Sequence, residues 1–69
     1  MNNNDFITVD ADIMRGRPVF KGTRVPIDGL FEYLEAGLTI DSFSNDFPSV
    51  TRELAVNVLE LLKSELVGI

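Results

Sequence analysis

Arg15-Gly16-Arg17-Pro18-Val19-Phe20-Lys21-Gly22-Thr23-Arg24-Val25-Pro26 is the stretch on which the reading of this 69-residue chain turns. It holds four of the six basic residues, Arg15, Arg17, Lys21 and Arg24, together with two of the five glycines and two of the three prolines. No acidic residue interrupts it. Val19-Phe20 on one side and Val25 with the Thr23 methyl on the other flank Lys21-Gly22. Gly22 can take the positive φ of a tight turn. Pro18 lacks an N–H and suits the start of an edge strand. Pro26, with its fixed φ, suits the first position of a following helix. The stretch reads as a small basic hairpin or extended arm that delivers the chain into a helix.

Downstream the pattern is helical. Ile27, Leu30, Phe31 and Leu34 share one face of a helix expected from Pro26 or Ile27 to Ala36. Asp28 and Glu32 sit near its positive end. Gly37 follows as the residue that stops it, with Leu38 able to fold back onto Tyr33. Tyr33 lies beside the stripe and reads as a rim packing residue, the functional alternative being a base-stacking residue. Thr39 caps a short second helix, Ile40 to about Asn45, with Ile40 and Phe43 inward and Phe47 continuing the core before Pro48. Thr51 caps a third helix running to about Leu66, with Val50 and Ala55 placed for a hydrophobic staple. Its apolar residues, Leu54 to Leu66, fill an arc of roughly 160°, wide for one small core. The Leu59, Leu62 and Leu66 side is therefore expected at an interface, the alternative being cover by the N-terminal strand. Upstream, Phe6-Ile7-Thr8-Val9 reads as a short strand pairing with Val19-Phe20 or with another subunit. Asp10 to Met14 reads as a single helical turn capped by Asp10, and residues 1 to 5 as a frayed start.

Composition sets the bounds. The length allows one domain, residues 1–69, divided into a strand-and-arm part (1–25) and a three-helix part (26–69). A chain this short buries only about 60% of its extended surface and is marginal alone. With no cysteine and no histidine, disulfides, thiol nucleophiles and the usual zinc ligands are excluded, which leaves a partner or a second copy as support. Asp5, Asp10, Asp12 and Asp28 lie near the arm, but no calcium-loop spacing is present and they read as solvated charge. No apolar run reaches the ~20 residues of a membrane span and no signal-peptide core opens the chain, so a cytoplasmic location is expected. No catalytic constellation or phosphate-cradling glycine loop occurs; the chain is not expected to be an enzyme, and no cofactor or metal is expected.

The run from Gly16 to Pro26 resembles the signature "G-K/R-P-V-hydrophobic-K-G-T-R-hydrophobic-P" of domain-of-unknown-function family 433. Ala36-Gly37-Leu38-Thr39-Ile40-Asp41, then Phe47-Pro48 and Thr51, is similar to the helical half of the same family. The resemblance covers roughly residues 7 to 66 and departs at Arg15, where the family usually has a second glycine. It implies a homeodomain-like, helix-turn-helix fold and an antitoxin role beside a PIN-like nuclease toxin.

The expected fold is mainly α: three helices forming a homeodomain-like helix-turn-helix domain, preceded by a short β-strand or hairpin arm. The net charge of −5 opposes DNA binding unless the bases cluster, and they cluster in the arm. On the third helix only Arg52, Val56 and Asn57 suit base contacts, while Glu53 and Glu60 oppose phosphate. The arm's guanidinium forks suit phosphate or carboxylate, the bland alternative being a solvated turn with Arg24 paired to an acid such as Asp28. Expected partner or DNA contacts are thus Arg15, Arg17, Lys21, Arg24, Arg52 and Asn57. Expected partners are the nuclease toxin implied by the resemblance, operator DNA, and a second copy in a homodimer. The competing reading is a structural dimerisation domain with neither toxin nor DNA as ligand.

Overall fold

In a computed structural model of the chain, residues 4–67 are described. The order is β1 (Ile7–Thr8), β2 (Val19–Phe20), α1 (Ile27–Glu35), α2 (Ile40–Asp46) and α3 (Arg52–Val67). The molecule is mainly α: three helices preceded by a two-stranded antiparallel hairpin. Of the frayed start expected over residues 1 to 5, residues 1–3 lie outside the described residues.

β1 pairs with β2 of the same chain, Ile7 opposite Phe20 and Thr8 opposite Val19. On the far side of β2 the chain returns through a turn. The Phe20 N–H donates to the Val25 carbonyl at 3.0 Å and the Ile27 N–H to the Pro18 carbonyl at 3.0 Å. Gly22, at φ 80°, occupies the third position of the turn, which a side chain resists. Thr23 latches it: its hydroxyl donates to the Phe20 carbonyl at 2.7 Å and accepts from the Val25 N–H at 3.0 Å. β2 is thus held on both sides, and Val19 and Phe20 are fully buried. Before β1, the Asn4 side chain accepts from the Phe6 and Ile7 N–H groups, each at 2.8 Å, and the Asn4 N–H donates to the Ile7 carbonyl at 3.1 Å.

Between the strands the single turn expected from Asp10 forms over Asp10–Ile13, where the Ile13 N–H donates to the Asp10 carbonyl at 2.9 Å, but it does not continue through Met14. The Asp10 carboxylate accepts from the Asp12 N–H at 2.8 Å, closing a turn. Met14, Arg15 and Gly16 then follow one another in the left-handed region, at φ 50°, 57° and 83°. Two short-range bonds close this segment: Gly16 N–H to Ile13 carbonyl at 3.0 Å, and Arg17 N–H to Met14 carbonyl at 3.1 Å. For a residue with a Cβ this conformation costs about 1–2 kcal/mol.

Helix ends follow local chemistry. After α1 the Gly37 N–H donates to Leu34 and the Leu38 N–H to Tyr33, the paired bonds of a Schellman stop, with Gly37 at φ 82°. Thr39 accepts from the Ser42 N–H at 3.0 Å and Thr51 from the Leu54 N–H at 3.1 Å, so both threonines cap as their positions require. Val50 and Ala55, the staple positions, are both fully buried. The core is built from Ile7, Phe20, Ile27, Leu30, Phe43, Val50, Ala55 and Val58. Phe43 is its centre, with the rings of Phe20, Tyr33 and Phe47 at 5.7, 5.1 and 4.9 Å. α2 packs on both α1 and α3, whereas α1 and α3 meet mainly through core residues such as Leu30 and Val58. That explains a departure from the helical stripe: Ile27 and Leu30 are buried, but Phe31 and Leu34 reach the surface at 38% and 36% exposure.

Candidate functional site

The arm is the element that the fold positions most deliberately, and its cations divide into two kinds. Arg17 forms an ion pair with Asp28 in the first turn of α1, both side chains about half exposed. The sequence had offered Arg24 for that role. Arg17 reaches Asp28 because Pro18, its neighbour, is hydrogen-bonded to Ile27, next to Asp28. The Lys21 ammonium donates to the Asn4 carbonyl at 2.9 Å. Arg15 and Arg24 are exposed and have no hydrogen bond or ion pair among the described residues. Arg24 sits at the tip of the Gly22 turn, beside a shallow hollow lined by Thr8, Ile13, Lys21, Gly22 and Thr23. Arg15 stands on the left-handed segment two residues beyond Ile13.

The helix-turn-helix half is chemically different. Arg52 donates through Nε to the Asp41 carboxylate of α2 at 3.0 Å, so its guanidinium ties α2 to α3 across the turn. Lys63 lies 3.5 Å from Glu60 on its own helix. Asn57 is half-buried rather than projecting. Glu53, Glu60 and Glu65 are exposed along the same helix. A helix presenting these groups has no uncommitted cation for a phosphate. Of the expected interface leucines, Leu59 and Leu62 are half-buried against the core, and Leu66 is 79% exposed.

Tyr33 combines packing with a polar handle. Its ring meets Phe43 edge-on, and its hydroxyl donates to the Asp46 carboxylate at 2.5 Å. That hydrogen bond, helped by partial desolvation and the carboxylate's charge, raises the phenol above its ordinary 10.0. Among the described residues no three carboxylate side chains converge to hold a metal ion. Nor is any helix among them long and apolar enough to cross a membrane. The two guanidinium groups without a partner among the described residues, Arg15 and Arg24, have the planar fork geometry that matches oxyanions, carboxylate or phosphate.

A feature that sequence reasoning missed is an open groove of about 620 Å³ between β1, α1 and α3. Its signal was the surplus of apolar residues on α1 and α3, which local periodicity records without saying where the surplus meets.

Residues 7–61 match the family described as protein of unknown function (DUF433), and the chain belongs to that family. No curated protein matches the chain, and no solved structure does.

Proposed function

We propose that this chain is an antitoxin-like binding module that neutralises a PIN-like nuclease toxin in the cytoplasm, with operator DNA as a weaker second ligand. One observation carries the reading: among the described residues Arg15 and Arg24 have no intrachain partner, while Arg17, Lys21, Arg52 and Lys63 are all engaged within the chain. Nucleases of this kind gather carboxylates to hold metal, and an inserted arginine competes with the metal for them. The acidic helical half fits a basic, RNA-binding surface on the same partner. DNA contact, on this reading, depends on the arm more than on α3.

The experiment is inhibition of a purified PIN-like nuclease, the class of partner proposed, by Arg24→Ala protein. Removing an interfacial charge that meets buried carboxylates costs roughly 2–5 kcal/mol of binding. Inhibition by Arg24→Ala is expected to fall accordingly while its circular dichroism is unchanged. Arg17→Ala, which loses an exposed pair worth about 0–1 kcal/mol, serves as the control. Wild-type potency from Arg24→Ala refutes the assignment of the arm. A second reading, a structural dimerisation domain, is favoured by the exposure of Leu66 and Val67, 79% and 71%. It requires a stable dimer in sedimentation and no effect on nuclease or operator.

A further inference from the structure

We infer that the open groove between α1 and α3 is a docking site for a basic amphipathic helix of a partner protein. The inference rests on the binding-module reading and adds to it a second contact, separate from the arm, with a defined chemistry.

The groove lies where α1 and α3 diverge beside their shared core. α2 lies against both of its neighbours, α1 and α3 meet mainly through core residues such as Leu30 and Val58, and Ile7 and Pro18 line the space beside them. Most of the lining residues are apolar, among them Ile7, Pro18, Ile27, Phe31, Leu61 and Leu62, and Asn4, Asp28 and Glu65 add polar groups. At about 620 Å³ it has room for two or three apolar side chains, within the range of built binding sites. Phe31 remains 38% exposed on its wall, and Leu34 extends the apolar surface one turn further along α1. A groove of this form takes the i, i+3, i+4 anchors of an amphipathic helix.

Charge selects the occupant. The two acids at the groove differ: Asp28 is neutralised by Arg17, whereas Glu65 has no ion pair among the described residues. Around them the whole helical half is acidic, residues 26–69 carrying eight acids against Arg52 and Lys63. Both of those bases are engaged within the chain. A second copy would bring the same acidic surround against this one, which like-charge repulsion disfavours. A helix with lysine or arginine flanking its apolar anchors meets Glu65 at the groove and a helical half of net negative charge.

The test uses the full chain and two synthetic peptides with the same leucine pattern at i, i+3, i+4 and i+7, one with lysines and one with glutamates on the polar face. Binding is read by fluorescence anisotropy. The lysine peptide is expected to bind at least about tenfold more tightly than the glutamate peptide, with an advantage that shrinks as salt is raised. Phe31→Ser, at a partly exposed position, is expected to keep the fold by circular dichroism and to weaken the lysine peptide by about tenfold or more. Arg24→Ala is expected to bind the peptide as wild type does. The groove assignment is overturned if Phe31→Ser and wild type bind alike, or if the two peptides bind alike. It is also overturned if the wild type alone sediments as a dimer that Phe31→Ser splits, because a second copy then fills the groove. Nuclease inhibition is a separate readout: wild-type potency from Arg24→Ala removes the assignment of the arm and leaves the peptide result standing, and the reverse holds equally.

Discussion

Replacing Arg15 by glycine is expected to make the protein more stable. Arg15 sits at φ 57°, ψ 35°, between Met14 and Gly16, which are left-handed too. A side chain in that region costs about 1–2 kcal/mol. Glycine removes the penalty but enlarges the unfolded ensemble, which returns about 0.4–1 kcal/mol. The net is a gain of about 0–1.6 kcal/mol, centred on about 0.8, because Arg15 has no hydrogen bond or ion pair among the described residues to lose. For a domain of this size the central value corresponds to a rise of about 3–6 °C in Tm. Thermal unfolding by circular dichroism, with Arg15→Ala alongside, separates backbone from charge. Alanine discards the same guanidinium but keeps the Cβ, so it should stay within about 0.5 kcal/mol of wild type. The reasoning is refuted if glycine does not stabilise, or if alanine stabilises as much, since relief of charge and not of conformation would then be the cause. If Arg15 also serves the partner, the glycine variant gains Tm and loses nuclease inhibition, two readouts moving in opposite directions.

Phe43→Ala removes the ring on which Phe20, Tyr33 and Phe47 converge; a loss of about 3–5 kcal/mol is expected, and denaturant titration should find a largely unfolded chain. Tyr33 is the sole tyrosine, so phenolate absorbance reports it alone, and its midpoint should lie above 10.0. Because the folded pKa is raised, the contribution of the protonated hydroxyl is fully present below pH 10 and lost as pH climbs through the folded value. Stability of Tyr33→Phe should lack that alkaline decline, and equal decline in both proteins would sink the assignment to the Asp46 bond.

Much of this architecture was legible because its signals are local. A threonine before a helical stripe caps it whatever the rest of the chain does, and Thr39 and Thr51 do so here. Gly37 ends α1, and Gly22 turns the arm, for reasons confined to a single φ. What escaped depends on distance. A left-handed Met14 and Arg15 carry no mark in their residue types; the family's usual glycine at position 15 was the nearest hint. Arg17 rather than Arg24 faces Asp28 because the Pro18–Ile27 bond sets the arm against α1, a pairing between segments that periodicity does not see. The stripe on α1 shows that Ile27, Leu30, Phe31 and Leu34 share a face, but not that only Ile27 and Leu30 of it are covered by the rest of the fold. The arm was visible as a basic cluster; which of its cations remain free emerged only from the fold.

Asn4 has a consequence for the company this molecule can keep. A strand at the margin of a sheet ordinarily offers its outward N–H and C=O groups as a template on which another chain can add. At Ile7 both of those groups are already bonded to Asn4, the N–H to its side chain and the carbonyl to its backbone. A visiting strand would have to displace two hydrogen bonds before making its own. The hairpin is thereby closed to extension, so neither fibre growth nor strand exchange can begin at Ile7 without first evicting an asparagine.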